Sequence, residues 1–267
     1  MTRATLRSHA ILGVVALFCL FPVYWLLATS LRRPGDIYSL APFPWPLTFE
    51  NYAGAADKAD VPGLLINTTF TAVSSTAIQL FIAILSAYGF AMHQFRFKRV
   101  LYLAFIATWL IPFQVTMLPN YLLLHQLGLL NTLAGVVLPT MCSVLAVLML
   151  RQHLDSFPKE LVAAAKMDGL SSWRTLWQVV VPNLRPALAA LSILLFINSW
   201  NEYFWPAVVL QQRNAVLQLG LRSFMSAEGN DWGPMMALAA MSCLPVFLLY
   251  LAMQRRVVSA FVRSGLK

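Results

Sequence analysis

Residues Val100 to Leu150 read VLYLAFIATWLIPFQVTMLPNYLLLHQLGLLNTLAGVVLPTMCSVLAVLML, and no Asp, Glu, Lys or Arg interrupts them. A helix crosses the hydrocarbon core of a bilayer with about 20 apolar residues. The run is therefore too long for one crossing and too apolar for a soluble loop. Its own punctuation divides it. Pro119 and Asn120, then Gln126, Gly128 and Asn131, break the apolar pattern and predict crossings over about 100–122 and 133–152.

The same measure extends to both ends of the chain. Ser8–Leu31 carries no charge, nor does Val61–Phe95, and these predict crossings over about 8–31 and 62–92. Pro186–Leu210 contains a single charge, Glu202, and Trp232–Gln254 contains none. They complete a set of six with crossings over about 186–210 and 232–254. The expected fold class is an all-α membrane protein, one transmembrane domain over 1–267 with a hydrophilic segment at 153–185 and a tail at 255–267. The apolar core of the first crossing exceeds the usual span of a cleaved signal peptide, about 7–15 residues, and is expected to be retained.

Composition agrees. Charged residues make up 11% of the 267 and hydrophobic ones 59%, whereas a soluble domain carries roughly 25% charged residues. The net charge of +9 comes from Lys and Arg in short clusters between apolar runs, which is the pattern of membrane topology rather than of nucleic-acid binding. Lys and Arg number 14 in the N-terminal segment, 92–99, 151–185 and the tail, against 5 in 32–60, 121–132 and 211–231. The richer set is expected to face the cytoplasm, with both termini inside a bacterial plasma membrane and 32–60 outside. With Pro42, Pro44, Trp45 and Pro46, that outer segment is expected not to be regular helix, and its aromatics suit a cap at the interface. Tyr24, Trp25, Trp109 and Trp232 read as interfacial anchors.

Other classes lack their residues. Cys19, Cys142 and Cys243 and the four histidines are scattered, without metal-ligand or redox spacing. No Gly-x-x-x-x-Gly-Lys-Ser/Thr loop occurs, so no cofactor is expected on this chain. A membrane enzyme would need a catalytic cluster near the interface, and a proton-coupled transporter several intramembrane acids. Apart from Arg151 at the very end of the fourth, Glu202 is the only formal charge inside a predicted crossing.

Between the fourth and fifth crossings lies Pro158-Lys-Glu-Leu-Val-Ala-Ala-Ala-Lys-Met-Asp-Gly169, then Leu-Ser-Ser-Trp-Arg-Thr-Leu-Trp-Gln-Val-Val-Val-Pro182. It predicts a helix–turn–helix. Pro158 suits a helix start, and Glu160 suits the positive end of the dipole. Leu161, Ala164, Ala165 and Asp168 share a face at helical spacing. Gly169 stops the first helix. Ser171 or Ser172 caps a second that ends at Pro182. The residues alone leave two roles open, a docking element for another protein or a tether folded back on its own bundle.

This segment resembles the cytoplasmic loop motif of ATP-binding-cassette (ABC) importer permeases of the carbohydrate-uptake type, the group that includes the smaller membrane subunit of the maltose permease. Ala164, Ala165, Asp168, Gly169 and Pro182 match the motif. Its glutamate would fall at position 163, which is alanine here, and Glu160 belongs to the neighbouring Pro-x-Glu-Leu element. Ile111–Asn120, Leu127–Thr132, Asn67-Thr68, Ala87–Phe90, Asn198–Pro206 and the tail Gln254–Lys267 are also similar to that family, so the resemblance covers essentially the whole chain. It implies that Glu160, Ala164, Ala165, Asp168, Gly169 and Pro182 couple the crossings to a separate ATPase, which holds ATP and Mg. It implies a second homologous permease subunit and an extracytoplasmic sugar-binding protein as further partners.

Polar residues within crossings are candidates for a substrate pathway. Asn198, Asn201 and Glu202 form the densest set, followed by Gln114, Asn120 and Gln79, and Trp200, Tyr203 and Trp205 offer faces on which a sugar could stack. The alternative is a Glu–Asn network that pins helices together. The expected cargo is an oligosaccharide or related carbohydrate, with glycerol phosphate or an amino sugar as alternatives. A phosphate ester favours Arg or Lys in the pathway, and no crossing has an internal one.

Overall fold

The computed structural model describes residues 3–211, 215–226 and 229–265. Almost all regular structure is helical: α1 (Arg3–Ser30), α2 (Glu50–Lys58), α3 (Val61–Met92), α4 (Lys98–Trp109), α5 (Phe113–Gln126), α6 (Leu133–Val137), α7 (Val144–Asp155), α8 (Lys159–Met167), α9 (Ser172–Thr175), α10 (Val181–Asn183), α11 (Arg185–Trp200), α12 (Phe204–Val209), α13 (Leu217–Ser223) and α14 (Trp232–Gly265). A two-stranded antiparallel hairpin, β1 (Met225–Ser226) with β2 (Gly229–Asn230), precedes α14. Of the 255–267 tail, the backbone continues α14 as far as Gly265.

Among the described residues, three helices are long and apolar enough to cross a membrane by themselves, Ser8–Ser30, Val61–Met92 and Trp232–Gln254. Their outward residues are apolar, Phe18 of α1 being 80% exposed, which suits lipid and not water. The other three expected crossings are not straight helices. Lys98–Trp109 and Phe113–Gln126 meet at 94° and Leu133–Thr140 and Val144–Asp155 at 45°. The fifth expected crossing is broken between α11 and α12, and the third bent pair joins Ser172–Asn183, from the segment expected between crossings, to Arg185–Val209 at 81°. The chain thus has up to six crossings if each bent pair counts as one.

Each bend has a local cause. Pro112 offers no N–H and pushes Ile111 out of the helical region, so α4 ends at Trp109 and α5 restarts after the proline. Pro139 sits in the 3₁₀ turn Leu138–Thr140, and Ser143 then opens α7 by accepting from Ala146 N at 3.3 Å. The third break falls at Leu184, two residues before Pro186 in the first turn of α11, and within the limb before it, ahead of Pro182, the helix widens into a π turn over Leu176–Val180. Proline's missing N–H and its ring crowd the carbonyl four residues back, and the wider turn relieves that conflict.

The contacts divide the chain into two compact units, Met1–Leu65 with Val216–Phe247, and Ile66–Ala215 with Leu248–Lys267. In the first, Asn51 of α2 donates from Nδ2 to the carbonyls of Ser30 (3.0 Å) and Arg32 (2.7 Å), satisfying groups that the end of α1 leaves open. The Arg32 guanidinium lies over Trp25 and donates to the Ser39 and Ala41 carbonyls. Against expectation the outer segment does contain a regular helix, α2, because its sequence, ENYAGAADK, starts downstream of the prolines and holds none itself.

The second unit is built around one core. Ala83, Ala87 and Tyr88 of α3, Ala146, Val147, Leu150 and Leu154 of α7, and Leu191 and Leu195 of α11 pack with Phe157, Val162, Leu176, Val180 and Leu184. The last five come from the hydrophilic segment expected to lie between crossings.

Candidate functional site

The α8–α9 segment is a helix–turn–helix rooted in that core. Pro158 stands as N-cap of α8 and Glu160 in its first turn. Asp168 N donates to Ala164 O (2.9 Å), Gly169 N to Lys166 O (3.1 Å) and Leu170 N to Ala165 O (3.0 Å). Together with a φ of +77° at Gly169 this is a Schellman C-cap, which glycine enters without steric cost. Ser171 Oγ accepts from Arg174 N and opens α9. Of the two serines read as candidate caps, Ser171 is the one used.

The faces of α8 differ from the expected stripe. Val162 (7% exposed) and Ala165 (4%) point into the core. Leu161, Ala164 and Asp168 are exposed, so Ala165 does not share their environment. On the helical wheel the arc opposite Val162 and Ala165 carries Glu160, Ala163, Ala164 and Met167, and all four are exposed, Met167 at 90%. The buried pair, Val162 and Ala165, lies one residue on from the pair Leu161 and Ala164.

The second limb is held by aromatic and polar contacts. Trp177 stacks on Phe81 of α3 at 6.3 Å and meets Trp173 edge-on at 5.6 Å. Tyr88 Oη donates to the Ser172 carbonyl at 3.3 Å. The second limb ends at Asn183, one residue past the expected Pro182, which lies in α10 after the π turn, and the chain turns at Leu184 into α11. The module is therefore continuous with α11 on one side and packed on α3 and α7 on the other.

The polar residues read as a pathway are placed otherwise. Helix α11 ends at Trp200, so Asn198, Asn201 and Glu202 do not form a stripe on one helix. Asn198 is in the last turn of α11, and Asn201 is its C-cap, donating from its backbone N–H to Ile197 O. Glu202 lies in the break. Its Oε1 accepts from Phe204 N (2.9 Å) and Trp205 N (3.2 Å), capping α12. Trp200 and Trp205, read as stacking faces, are core residues at 2% and 0% exposure. Trp205 Nε1 donates to Gly135 O at 3.1 Å, and its ring meets Phe113 edge-on. Gln79 is also structural, donating to Thr140 O at 2.7 Å. Gln114, next to Phe113, is exposed and Asn120 is half-buried on α5.

A lock around α12 escaped sequence reading. Asn131, at a φ of +58°, donates from its backbone to Val209 O and accepts on Oδ1 from Gln211 N, both at 2.9 Å. A Cβ at Gly135 would strike the Leu129 carbonyl. These bonds tie α12 to the 129–135 turn, and only the Gly-x-x-Asn spacing around residue 131 hinted at a tight turn there.

Residues 79–262 match the family model of the binding-protein-dependent transport system inner membrane component. That match takes in the α8–α9 module and most of the chain. The chain belongs to this family. Among relatives of this inner-membrane transport component, the lactose transport system permease protein LacG of Rhizobium radiobacter is 31% identical over 96% of this chain and 94% of that protein. The sn-glycerol-3-phosphate transport system permease protein UgpE of Yersinia pestis bv. Antiqua (strain Antiqua) is 29% identical over 96% and 95%. A chain from the crystal structure of a bacterial ABC transporter that imports the acidic polysaccharide alginate superposes with a TM-score of 0.82, at 24% identity, over 96% of this chain and 98% of that one. The family and the apolar helices together make this transport component a membrane protein with the ABC-importer permease fold.

Proposed function

We propose that this chain is a permease subunit of an ABC importer for a sugar, an oligosaccharide or related carbohydrate, and that α8 and α9 couple it to a separate ATPase. The observation that carries the coupling role is the rooting of an exposed small-residue helix in the core shared by α3, α7 and α11. A push on Glu160, Ala163, Ala164 or Met167 is borne by Val162 and Ala165 and passes into those helices without a flexible joint between. Interiors this closely packed transmit displacement. ATP and Mg belong to the ATPase, and this chain hydrolyses nothing.

The coupling set is Glu160, Ala164, Asp168 and Gly169, supported by Ala165 from within and Pro182 at the return limb. Ala163 leaves no carboxylate at the motif position, and Glu160, one turn earlier on the same arc, is the nearest acid available to a cation of the ATPase. The basic-residue distribution places this module and both termini in the cytoplasm. A second homologous permease subunit and an extracytoplasmic sugar-binding protein complete the system. Asn198, Asn201, Gln114 and Asn120 present polar groups to the translocation route, and Glu202 keeps the adjoining helix break in shape.

A sugar is favoured over a phosphate ester by the lactose permease relative and by the lack of Lys or Arg within the straight apolar stretches Ser8–Ser30, Val61–Met92 and Trp232–Gln254. The test is reconstitution of the full system in liposomes with its binding protein. ATP-dependent uptake of labelled oligosaccharide is the expected result. Uptake of glycerol phosphate and of no sugar would replace the cargo, and uptake without an ATPase would overturn the class.

A further inference from the structure

The turn between α3 and α4 carries three cations and no acid. It reads His93-Gln-Phe-Arg-Phe-Lys-Arg99, and no Asp or Glu occurs between Asp60 and Asp155. The ion pairs formed among the described residues, Lys58 with Asp231 and Arg151 with Asp155, lie elsewhere. Lys98 Nζ donates to the His93 carbonyl at 2.9 Å and closes the turn. Phe90 of α3 packs with Phe95 at 6.0 Å and with Tyr102 of α4 at 5.3 Å, which roots the turn in the fold. Arg96 and Arg99 are left exposed.

Aromatic surface lies beside these cations. Phe97 is 62% exposed, Phe95 is exposed as well, and the Arg96 guanidinium lies over the Phe97 ring at 4.9 Å. The apolar face continues into α4, where Val100 and Leu101 are exposed on an expected crossing. A surface that is apolar along a crossing and cationic at its end matches a bilayer, with acyl chains against the first part and phosphates against the second. Tyr88 Oη donates to the Ser172 carbonyl, and His93 Nε2 lies 3.5 Å from Ser172 Oγ. The turn therefore sits at the same end of its unit as α8 and α9.

We infer that the 93–99 turn is a docking surface for anionic phospholipid headgroups, in the leaflet on the side of the α8–α9 module. Arg96 and Arg99 meet the headgroup charge, and Phe95 and Phe97 sit at the acyl boundary. Lipid is favoured over the ATPase by the unbroken run of exposed apolar residues from the turn into α4. The inference goes beyond the importer reading and is independent of the cargo.

The experiment uses the assembled importer, both permease subunits with the ATPase, in nanodiscs of equal parts phosphatidylglycerol and phosphatidylcholine. Phe97→p-benzoylphenylalanine keeps an aromatic ring at the position and makes it a photo-crosslinker, and the adducts are identified by mass spectrometry. Phosphatidylglycerol adducts are expected to exceed phosphatidylcholine adducts at least about fivefold. The excess should disappear when Arg96→Gln and Arg99→Gln are combined, Lys98 being kept because it closes the turn. Should that variant fail to assemble, salt decides with the arginines intact. Raising it from about 0.05 to about 0.5 M shortens the screening length and is expected to remove most of the excess. Equal adducts of the two lipids, an excess that survives either the arginine changes or the salt, or an adduct to the ATPase in place of lipid overturns the proposal. A complex that imports sugar without the lipid preference loses only this docking surface and keeps the importer reading.

Discussion

Gly169 and Glu202 do their work through the backbone, and their substitutions separate mechanism from packing. A Cβ at Gly169 would meet nothing within 4 Å, so Gly169→Val carries only the left-handed backbone cost, about 1–2 kcal/mol. We expect the complex to assemble with a distorted α8 terminus and with ATP hydrolysis uncoupled from uptake, read as hydrolysis per molecule of sugar imported. Wild-type coupling in that variant would count against the role given to the turn. Glu202 caps α12 through Oε1, an acceptor that glutamine retains. Glu202→Gln should therefore keep near-normal uptake, while Glu202→Ala should lower stability by about 1 kcal/mol and be seen as a reduced thermal midpoint in detergent. A severe uptake defect in Glu202→Gln would show that the charge itself acts on the cargo. Neither the cap nor its bonds could be read from composition, because they depend on the helix stopping at Trp200.

The elements make a sharper contrast, since α8 has a wet face and a dry face. Ala165→Leu inserts bulk at a site 4% exposed, where overpacking costs about 1–3 kcal/mol, and should lower the melting temperature of the complex. Ala164→Leu changes the exposed face and should leave that temperature unchanged while weakening ATPase co-purification. Equal thermal effects for the two would mean that the faces are wrongly assigned. Here sequence reading found the helix, its glycine stop and its serine cap, each a local signal. It put Leu161, Ala164, Ala165 and Asp168 on one face, of which only Ala165 is buried, because Leu161 and Ala164 look as apolar as Val162 and Ala165. Which of two similar rows turns inward is fixed by the core that Leu176, Val180 and α3 contribute, from well outside the helix.

Across the whole molecule, lack of charge was the most legible property. It marked every apolar run, and the straight helices α1 and α3 and the apolar stretch of α14 match it within a residue or two. The bent pairs were less legible. Pro112, Pro139 and Pro182 were visible in the sequence, but a proline in a membrane helix can be accommodated without a break, as Pro22 in α1 and Pro245 in α14 are. The central claim, that the module at 158–184 meets an ATPase, is tested most directly by placing a photo-crosslinking residue at position 164 of the complete importer in inverted membrane vesicles. The account predicts a crosslink to the ATPase subunit that changes in yield with ATP. A crosslink-free module in a complex that still imports sugar, or labelling of position 164 from the extracytoplasmic side, would contradict it.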